Sequence, residues 1–523
     1  MGGEYVIGVD LGTTGTKAAL FDLEGRLVAQ AYEETTLIQP RPGWVEQDPD
    51  EMYASALRTI RSVLEQAGVR GGQVAALAFV GQMAGITAVD EEWRPLIPYD
   101  SWLDTRCALY MRLMQQHQRR ILELTGGYPS YTHGPKILWW KHERPDVFAR
   151  IHKFVMPAAY AAGKMGGLRG EDAFMDYTYL HFTGFSDNPG LRWSEELCGL
   201  FGVPMEKLPR IVKPWDIVGR VGEEAARETG LLAGTPIAAG AGDTTAGVLG
   251  AGLVDPGGLL DIAGTAAVCA IGVPDFRPDV RHQTLFTART VTEDMWYALA
   301  YMNGGGLNLR WFRDQCAPPP PAGRRAYEWL DELAAQVAPG CDGLLFLPHL
   351  GGRACPNDPS LQGMWLGFTW KHGLAHFYRS ILESVAYEYA FYLRVEQAQF
   401  PDLRFREVRI VGGGAASPVW KQIKADVLGL PYVDLNRSEG SVLGAAIIAG
   451  RAVGAFADVK ETARRFIHAT DRTEPRTEMH AAYQPLVDRY VRLLEEAGGL
   501  FAVVAGAGLA ADTSLSDPGA GAA

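Results

Sequence analysis

Four segments of this chain bring glycines and polar side chains together at the end of an apolar run, where chemistry can be exposed on a rigid base. The first is YVIGVD (5–10) followed by LGTTGT, which carries Asp10, Thr13, Thr14 and then Lys17. Its glycines let backbone approach phosphate oxygens, and the amides and two hydroxyls supply donors. The G-x-x-x-x-G-K-[ST] spacing is absent and a strand follows instead of a helix, so it is not a Walker loop. A hairpin turn without a ligand is the alternative. The second is AAGAGDTTAGVLGAG (238–252), with Asp243 between the apolar run PIAAGA and a small-residue helix. There Asp243 reads either as a helix N-cap or as a general base that takes a hydroxyl proton beside a phosphate site.

The third segment, VRIVGGGAASPVWKQIKADVLGLPYV (408–433), runs a strand into Gly412, Gly413 and Gly414 and then a helix whose first turn holds Ser417 and Pro418. Close backbone at a helix N-terminus suits a nucleotide. Gly412-x-Gly414 with Asp434 some twenty residues on also matches part of a dinucleotide fingerprint, with Ser417 in the third glycine's place. The fourth is GQMAGITAVDEEWRPLIPYDSWLDTRC (81–107). Trp102, Asp104 and Arg106 alternate along an extended stretch and so are expected to face one way. A tryptophan face against a sugar's C–H side, with a carboxylate and a guanidinium on its hydroxyls, is carbohydrate-recognition chemistry. An Asp104–Arg106 surface pair beside a core tryptophan is the alternative. No G-x-S-x-G, H-E-x-x-H or EF-hand pattern is present, and the eleven histidines form no ligand-spaced cluster.

The elements that carry these segments read as a strand–turn–strand meander over 5–10, 17–22 and the run RLVAQAYEET, then a helix over 50–67 capped by Asp48 or Asp50. A strand, VAALAFVG, and a loop, QMAGITAVDEEWRP, follow. LLDIAGTAAVCAIG (259–272) echoes the opening: Gly264-Thr265 falls on Gly12-Thr13, while Ile262 stands where Asp10 does. Two related halves of alternating strands and helices follow from this echo, so the expected class is α/β, with a boundary near 250–258. The expected domains are 1–252, 253–495 and a small-residue tail, 496–523, without fixed structure.

Composition narrows the function classes. The 523 residues carry 49 Lys+Arg against 61 Asp+Glu, a formal charge of −12, and 47% are hydrophobic. A pI near 5.5 without a basic run argues against a nucleic-acid or anionic-membrane surface. The apolar stretch at 257–273 is interrupted by Asp261 and glycines and falls short of a membrane span. Six scattered cysteines without a C-x-x-C pair read as free thiols of a reducing compartment. MGGEYVIGVD enters a strand pattern at once, which leaves no room for a leader, and Val6 stands where myristoylation requires Ser or Thr.

Taken in order, VDLGTTGTKA, GQMAG, SWLDTR, GAGDTTAG, LDIAGT, VGGGAASPVWKQIKADVLGLP and GSVLGAAIIAG resemble the FGGY carbohydrate kinases of the actin, hexokinase and heat-shock ATPase superfamily, in the xylulokinase-like branch. The resemblance covers residues 4 to 490. It implies two ribonuclease-H-like domains flanking a deep cleft, with the sugar mostly on the N-terminal domain and Mg-ATP mostly on the C-terminal one. By that likeness Asp243 is the catalytic base, Asp10 organises Mg²⁺ and its waters, and Thr13, Thr14 and Lys17 serve the transferring phosphate. Gly264, Thr265 and the glycines of NGGGLN, Gly305 and Gly306 among them, would contact the nucleotide phosphates. Gly413, Gly414 and Ser417 would line the adenosine pocket, and Gln82, Met83, Ala84, Trp102, Asp104 and Arg106 would meet the sugar. The implied cofactors are ATP and Mg²⁺. The implied partner is a small-molecule sugar or polyol in the cytoplasm, with a homodimer as one arrangement and neither nucleic acid nor membrane involved.

The chain departs from the family pattern where it reads Met83-Ala84-Gly85 for Met-His-Gly, Trp102-Leu103-Asp104 for Trp-Asn-Asp, and Gly351-Gly352-Arg353-Ala354-Cys355-Pro356 in the stretch that normally has Gly-Glu-Arg-Thr-Pro. The expected reaction is phosphorylation of a terminal primary hydroxyl of a ketopentose. L-xylulose, ribulose, a tetritol or gluconate, or a non-sugar ATPase of the superfamily, are the alternatives.

Overall fold

The structure, a computed structural model, describes residues 3–512. Packing divides it into two compact units, each built from discontinuous segments of the chain. The first unit runs to Gly258 and takes back Ala270–Leu299 and Leu435–Thr470; the second comprises Leu259–Cys269, Ala300–Asp434 and the chain from Asp471. The expected boundary near 252 therefore marks only one of several crossings. The physical reason is that the helix Gly440–Ala452, far along the chain, completes the core of the first unit.

That core surrounds a six-stranded sheet in the order Ile217–Arg220, Pro236–Gly242, Val74–Gly81, Tyr5–Leu11, Gly15–Asp22, Leu27–Glu34. The expected meander and the strand VAALAFVG are all here. The neighbours Pro236–Gly242, Val74–Gly81 and Tyr5–Leu11 are parallel and read as continuous apolar runs because both faces are covered. Ile7, Val9, Leu77 and Phe79 pack with Leu57, Ile60 and Val63 of the helix Pro49–Ala67. Val6, Ala76, Ala78 and Val80 pack on the other face with Leu249, Leu443 and Ala446. Asp48 caps Pro49–Ala67, its carboxylate accepting from the Asp50 amide at 2.9 Å. The stretch expected as a loop after residue 81 instead contains the strand Ile86–Val89, paired antiparallel with Pro95–Asp100. Its four residues are too short for alternation to reveal.

Close backbone packing on the second face depends on glycine. A Cβ on Gly8 would lie 2.0 Å from the Val442 carbonyl oxygen, one on Gly444 2.1 Å from that of Ala246, and one on Gly250 1.8 Å from that of Gly440. Helices Asp243–Gly250 and Gly440–Ala452 thus meet each other, and the strand Tyr5–Leu11, backbone to backbone.

In the second unit the strands Leu259–Ala263, Val408–Val411 and Tyr432–Leu435 are parallel. The echo holds at the level of strand, three-residue turn and strand, but the turns are bonded differently: Gly12 N–H bonds the Gly15 carbonyl at 3.0 Å, three residues on, and Gly264 N–H that of Ala266 at 3.1 Å, two residues on. Lys424, on the helix Pro418–Leu428, is fully buried against Asp261 at 2.5 Å, and Tyr389 donates to the same carboxylate at 2.8 Å. The expected unstructured tail is helical as far as Asp512, within Thr477–Asp512, because the apolar and alanine-rich run continues that helix; its remainder lies outside the described residues. No helix among the described residues is long and apolar enough to cross a membrane.

Backbone contact at Gly444 gives a direct test. Gly444→Ala should cost about 1–3 kcal/mol by overpacking. Gly199→Ala, in a helix where the new methyl meets nothing within 4 Å, should be neutral or stabilising. Paired thermal-denaturation curves measure both, and equal curves would remove the packing argument.

Candidate active site

Strand register brings Asp10 and Asp243 together. Leu11 pairs with Gly81, and Gly81 with Gly242, so the two acidic residues leave the same end of the sheet two strands apart. At a strand spacing near 4.8 Å their backbones are about 10 Å apart, within reach of two inward-leaning carboxylates. Asp243 is the first helical residue of Asp243–Gly250, after the N-cap Gly242, so it is not itself the cap. Its Oδ1 accepts from the Thr244 amide at 2.5 Å and from the Thr244 hydroxyl at 3.2 Å. Thr178 Oγ1 accepts from the Gly242 amide at 2.9 Å, and Tyr179 donates to the Gly81 carbonyl at 3.0 Å, which fixes the turn from below.

Burial pushes the Asp243 carboxyl up to about 7, and the negative charge of Asp10 adds to the rise. Asp10 is also raised, by burial, against the opposing pull of the Ser441 hydroxyl and of Lys17. Ser441 Oγ donates to Asp10 Oδ2 at 2.6 Å, and Lys17 sits directly across the hairpin from Asp10. Asp10 Oδ1 is buried without a partner. An unpartnered buried carboxylate oxygen beside a second carboxylate fits a hydrated divalent cation. Among the described residues no group of three or more His, Cys, Asp or Glu side chains is arranged to hold an ion alone. Asp10 would share such an ion with ligand oxygens and water.

The other expected residues of this unit separate into exposed and committed groups. Thr14 is exposed; its hydroxyl accepts from the Tyr32 hydroxyl at 3.1 Å and keeps its own proton to donate. Thr13 is pinned: its hydroxyl donates to Gln82 Oε1 at 3.0 Å and accepts from Trp102 Nε1 at 2.9 Å. Gln82 is buried, its amide nitrogen donating to the Gly12 carbonyl at 3.1 Å and to Gln47 Oε1 at 2.7 Å, so it has no free donor for a sugar. Met83 lies against Gly242, where a Cβ would meet its sulfur at 2.6 Å. Ala84 has φ +64°, in the left-handed region that non-glycine residues seldom take.

Trp102, Asp104 and Arg106 do not face one way, because 101–107 is a turn and not an extended strand. Trp102 is 37% exposed. Asp104 and Arg106 are fully buried and bonded to each other at 2.6 Å, with Glu46 at 2.6 Å from the same guanidinium and the Trp44 ring beneath it, its centroid 3.8 Å away. Neither a sugar grip nor a surface pair describes them; they hold the turn that carries Trp102.

In the second unit the expected nucleotide residues cluster. Gly306 N–H bonds the Gly264 carbonyl at 2.9 Å and Leu307 N–H that of Thr265 at 3.0 Å, so those two amides clamp the turn and are not free for phosphate. A Cβ on Gly305 would lie 2.7 Å from that of Ala267, and one on Gly414 2.6 Å from that of Ala263, so only glycine admits these approaches. Gly413 opens the short turn before Pro418–Leu428, where a Cβ would meet nothing within 4 Å. Ser417 caps that helix, accepting from the Trp420 amide at 3.1 Å and donating to Asp331 at 2.6 Å, so its hydroxyl is already used. Asp434 is paired with Lys421 at 2.5 Å, which removes the free carboxylate a dinucleotide ribose would need.

Sequence reasoning missed Ser441, Thr178, Glu46 and Gln47. Ser441 lies 431 positions from its partner Asp10. Glu46 and Gln47 sit in GWVEQDP just ahead of a helix start, where two polar residues draw no attention.

Residues 5–250 match the N-terminal domain, and residues 263–453 the C-terminal domain, of the FGGY family of carbohydrate kinases. The xylulose kinase of Bacillus subtilis (strain 168) is 27% identical over 499 residues, 93% of this chain and 96% of that protein. The gluconokinase of the same strain is 28% identical over 500 residues, 94% and 95% of the two chains. The crystal structure of xylulose kinase from Rhodospirillum rubrum superposes with a TM-score of 0.85 at 28% identity, covering 95% of this chain and 99% of the other.

Because a negative neighbour opposes a second negative charge, neutralising Asp10 must lower the Asp243 pKa. In ligand-free protein Asp243 should titrate near 7 and, in Asp10→Asn, at clearly lower pH. Carboxyl-carbon NMR, assigned with Asp243→Asn, reads the shift; an unchanged midpoint would show that the two groups do not interact.

Proposed function

The chain belongs to the FGGY family of carbohydrate kinases, and from that premise we propose that it transfers the γ-phosphoryl of ATP to a terminal primary hydroxyl of a ketopentose, with Asp243 as the general base. The observation that carries this reading is the meeting of Asp243 with Asp10 at one end of one sheet, with a carboxyl raised to about 7. A base with that pKa is half ionised at neutral pH and strong enough to accept the proton of an attacking alcohol. The attacking hydroxyl acidifies as its oxygen bonds phosphorus, so Asp243 takes the proton late. Little else is covalent, and the remaining work is positioning and charge stabilisation.

Lys17 and the Thr14 hydroxyl offer the turn's charge and donor to the moving phosphate, and Trp102 offers an exposed ring to the sugar's C–H face. Asp10 would hold Mg²⁺ through its unpartnered oxygen. Such a cation, when bound, neutralises charge on the phosphate oxygens. Gly264, Thr265, Gly305, Gly413 and Gly414 would form the glycine surface for the nucleotide, with Ser417 and Gly306 as supports.

An aldonate is the second reading for the acceptor. It is favoured by the equal likeness to a gluconokinase and by Ala84, which places a methyl where the family's histidine stands in xylulokinases. Coupled ADP release over ketoses, polyols and aldonates separates the two. D-xylulose as the preferred acceptor upholds the first reading, and gluconate the second. Asp243→Asn should lower kcat by about 10²–10⁴ with the KM for ATP nearly unchanged. Turnover like wild type in that variant would end the assignment of the base.

A further inference from the structure

The two-residue strand Glu46–Gln47 joins the turn that would serve the phosphate to the turn that would serve the sugar, and it uses adjacent side chains to do so. Glu46 pairs antiparallel with Asp100, and Gln47 with Tyr99. On one side the Val45 amide donates to Asp104 at 2.7 Å, the Val45 carbonyl accepts from Ser101 at 3.0 Å, and Glu46 accepts from Arg106 at 2.6 Å. These bonds hold the turn carrying Trp102. On the other side Gln47 Nε2 donates to the Thr13 carbonyl at 3.2 Å and to Thr35 Oγ1 at 3.1 Å, while Gln47 Oε1 accepts from Gln82 at 2.7 Å. Trp102 Nε1–H closes the loop on the Thr13 hydroxyl at 2.9 Å.

Every polar atom of the Gln47 side chain is thus committed, and the residue is fully buried. A buried amide earns its desolvation cost only with all partners in place, so this network has one low-energy arrangement. A displacement of Trp102 must either break its bond to Thr13 or drag Thr13 along. Thr13 in turn shares its carbonyl and its hydroxyl with Gln47 and Gln82.

We infer that Gln47 is a positioning residue of the phosphate turn, and that the Trp102–Thr13–Gln82–Gln47 hydrogen-bond relay couples occupancy of the sugar site to the geometry of that turn. The inference rests on the sugar-kinase reading above. A sugar seated on the half-exposed Trp102 ring restrains its indole N–H, which holds the Thr13 hydroxyl and sets Thr14 and Lys17 for transfer. Without a sugar the bond to Thr13 is the restraint on the half-exposed ring from the network, so each excursion of the ring takes an anchor from the turn. The relay therefore favours transfer to sugar over transfer to water, and its effect belongs in kcat and in the ratio of the two reactions, not in sugar affinity.

Two variants test it. Trp102→Phe keeps an aromatic face of smaller area and removes the bond to Thr13; at a position 37% exposed it should leave the fold intact. Gln47→Leu removes the other end. Each should lower kcat for sugar phosphorylation about tenfold and raise ATP hydrolysis without sugar relative to transfer by at least about fivefold, and Gln47→Leu, which leaves the ring itself untouched, should keep the sugar KM within about threefold. Because both act through Thr13, the double variant should lose less than the product of the two effects. Wild-type kcat and coupling ratio in Trp102→Phe, or strictly multiplicative losses, would overturn the relay. If Gln47→Leu does not fold, Trp102→Phe decides by its coupling ratio alone. A wild-type protein that phosphorylates no alcohol in the acceptor panel would overturn the kinase reading and this inference with it, whereas an active wild type with unaltered variants overturns only the relay.

Discussion

Everything in the first unit hangs on three places where backbone touches backbone. Gly8, Gly250 and Gly444 let the helix Gly440–Ala452 lie directly on the strand Tyr5–Leu11 and on the helix Asp243–Gly250. At ordinary helix-packing distances of 8–10 Å a serine side chain would not span the gap to a strand residue. Here Ser441 reaches Asp10 at 2.6 Å. The same contact drives the carboxylate of Asp10 into a desolvated setting, so the helix that supplies the hydrogen bond also supplies the burial.

Burying two carboxylates near one another is costly, and the fold offsets only part of that cost. Thr244, Ser441 and Lys17 favour the charged forms, while burial at both positions, and at Asp243 also the charge of Asp10, favour the neutral ones and win. This imbalance is the electrostatic signature of a site that expects a cation or a proton. It contrasts with Asp104 and Asp261, buried as deeply but matched to Arg106 and Lys424. Those two serve structure: one holds a turn, the other holds a helix to the strand that ends in Gly264.

Division of labour among neighbouring residues recurs. Glu46 and Gln47 face different networks, as adjacent strand residues must. Within the turn at 101–107, Trp102 faces outward while the side chains of Asp104 and Arg106 turn in. Polar residues near a site are therefore a mixture of those that meet a ligand and those that hold the first kind still. Residue type does not separate them; hydrogen-bond saturation does.

Local sequence was enough for the elements with strong patterns. The meander over 5–34, the helix at Pro49–Ala67, the strands before Asp243 and Gly412, and the strand–Gly-Thr–strand echo all follow from apolar runs and glycine turns, whose causes lie within a few residues. Asp243 drew notice by its place in a glycine-rich turn, whereas a role for Asp10 came from the family resemblance. Tertiary structure alone decided the rest. Whether Ser417, Gln82 and Arg106 are free or spent depends on partners dozens of positions away, and the short strand Ile86–Val89 is held between Pro95–Asp100 and the distant Lys153–Val155. The units cross the sequence halves because Gly440–Ala452 buries its apolar face against a strand made more than four hundred residues earlier, and no local periodicity can specify the surface on which a helix will land.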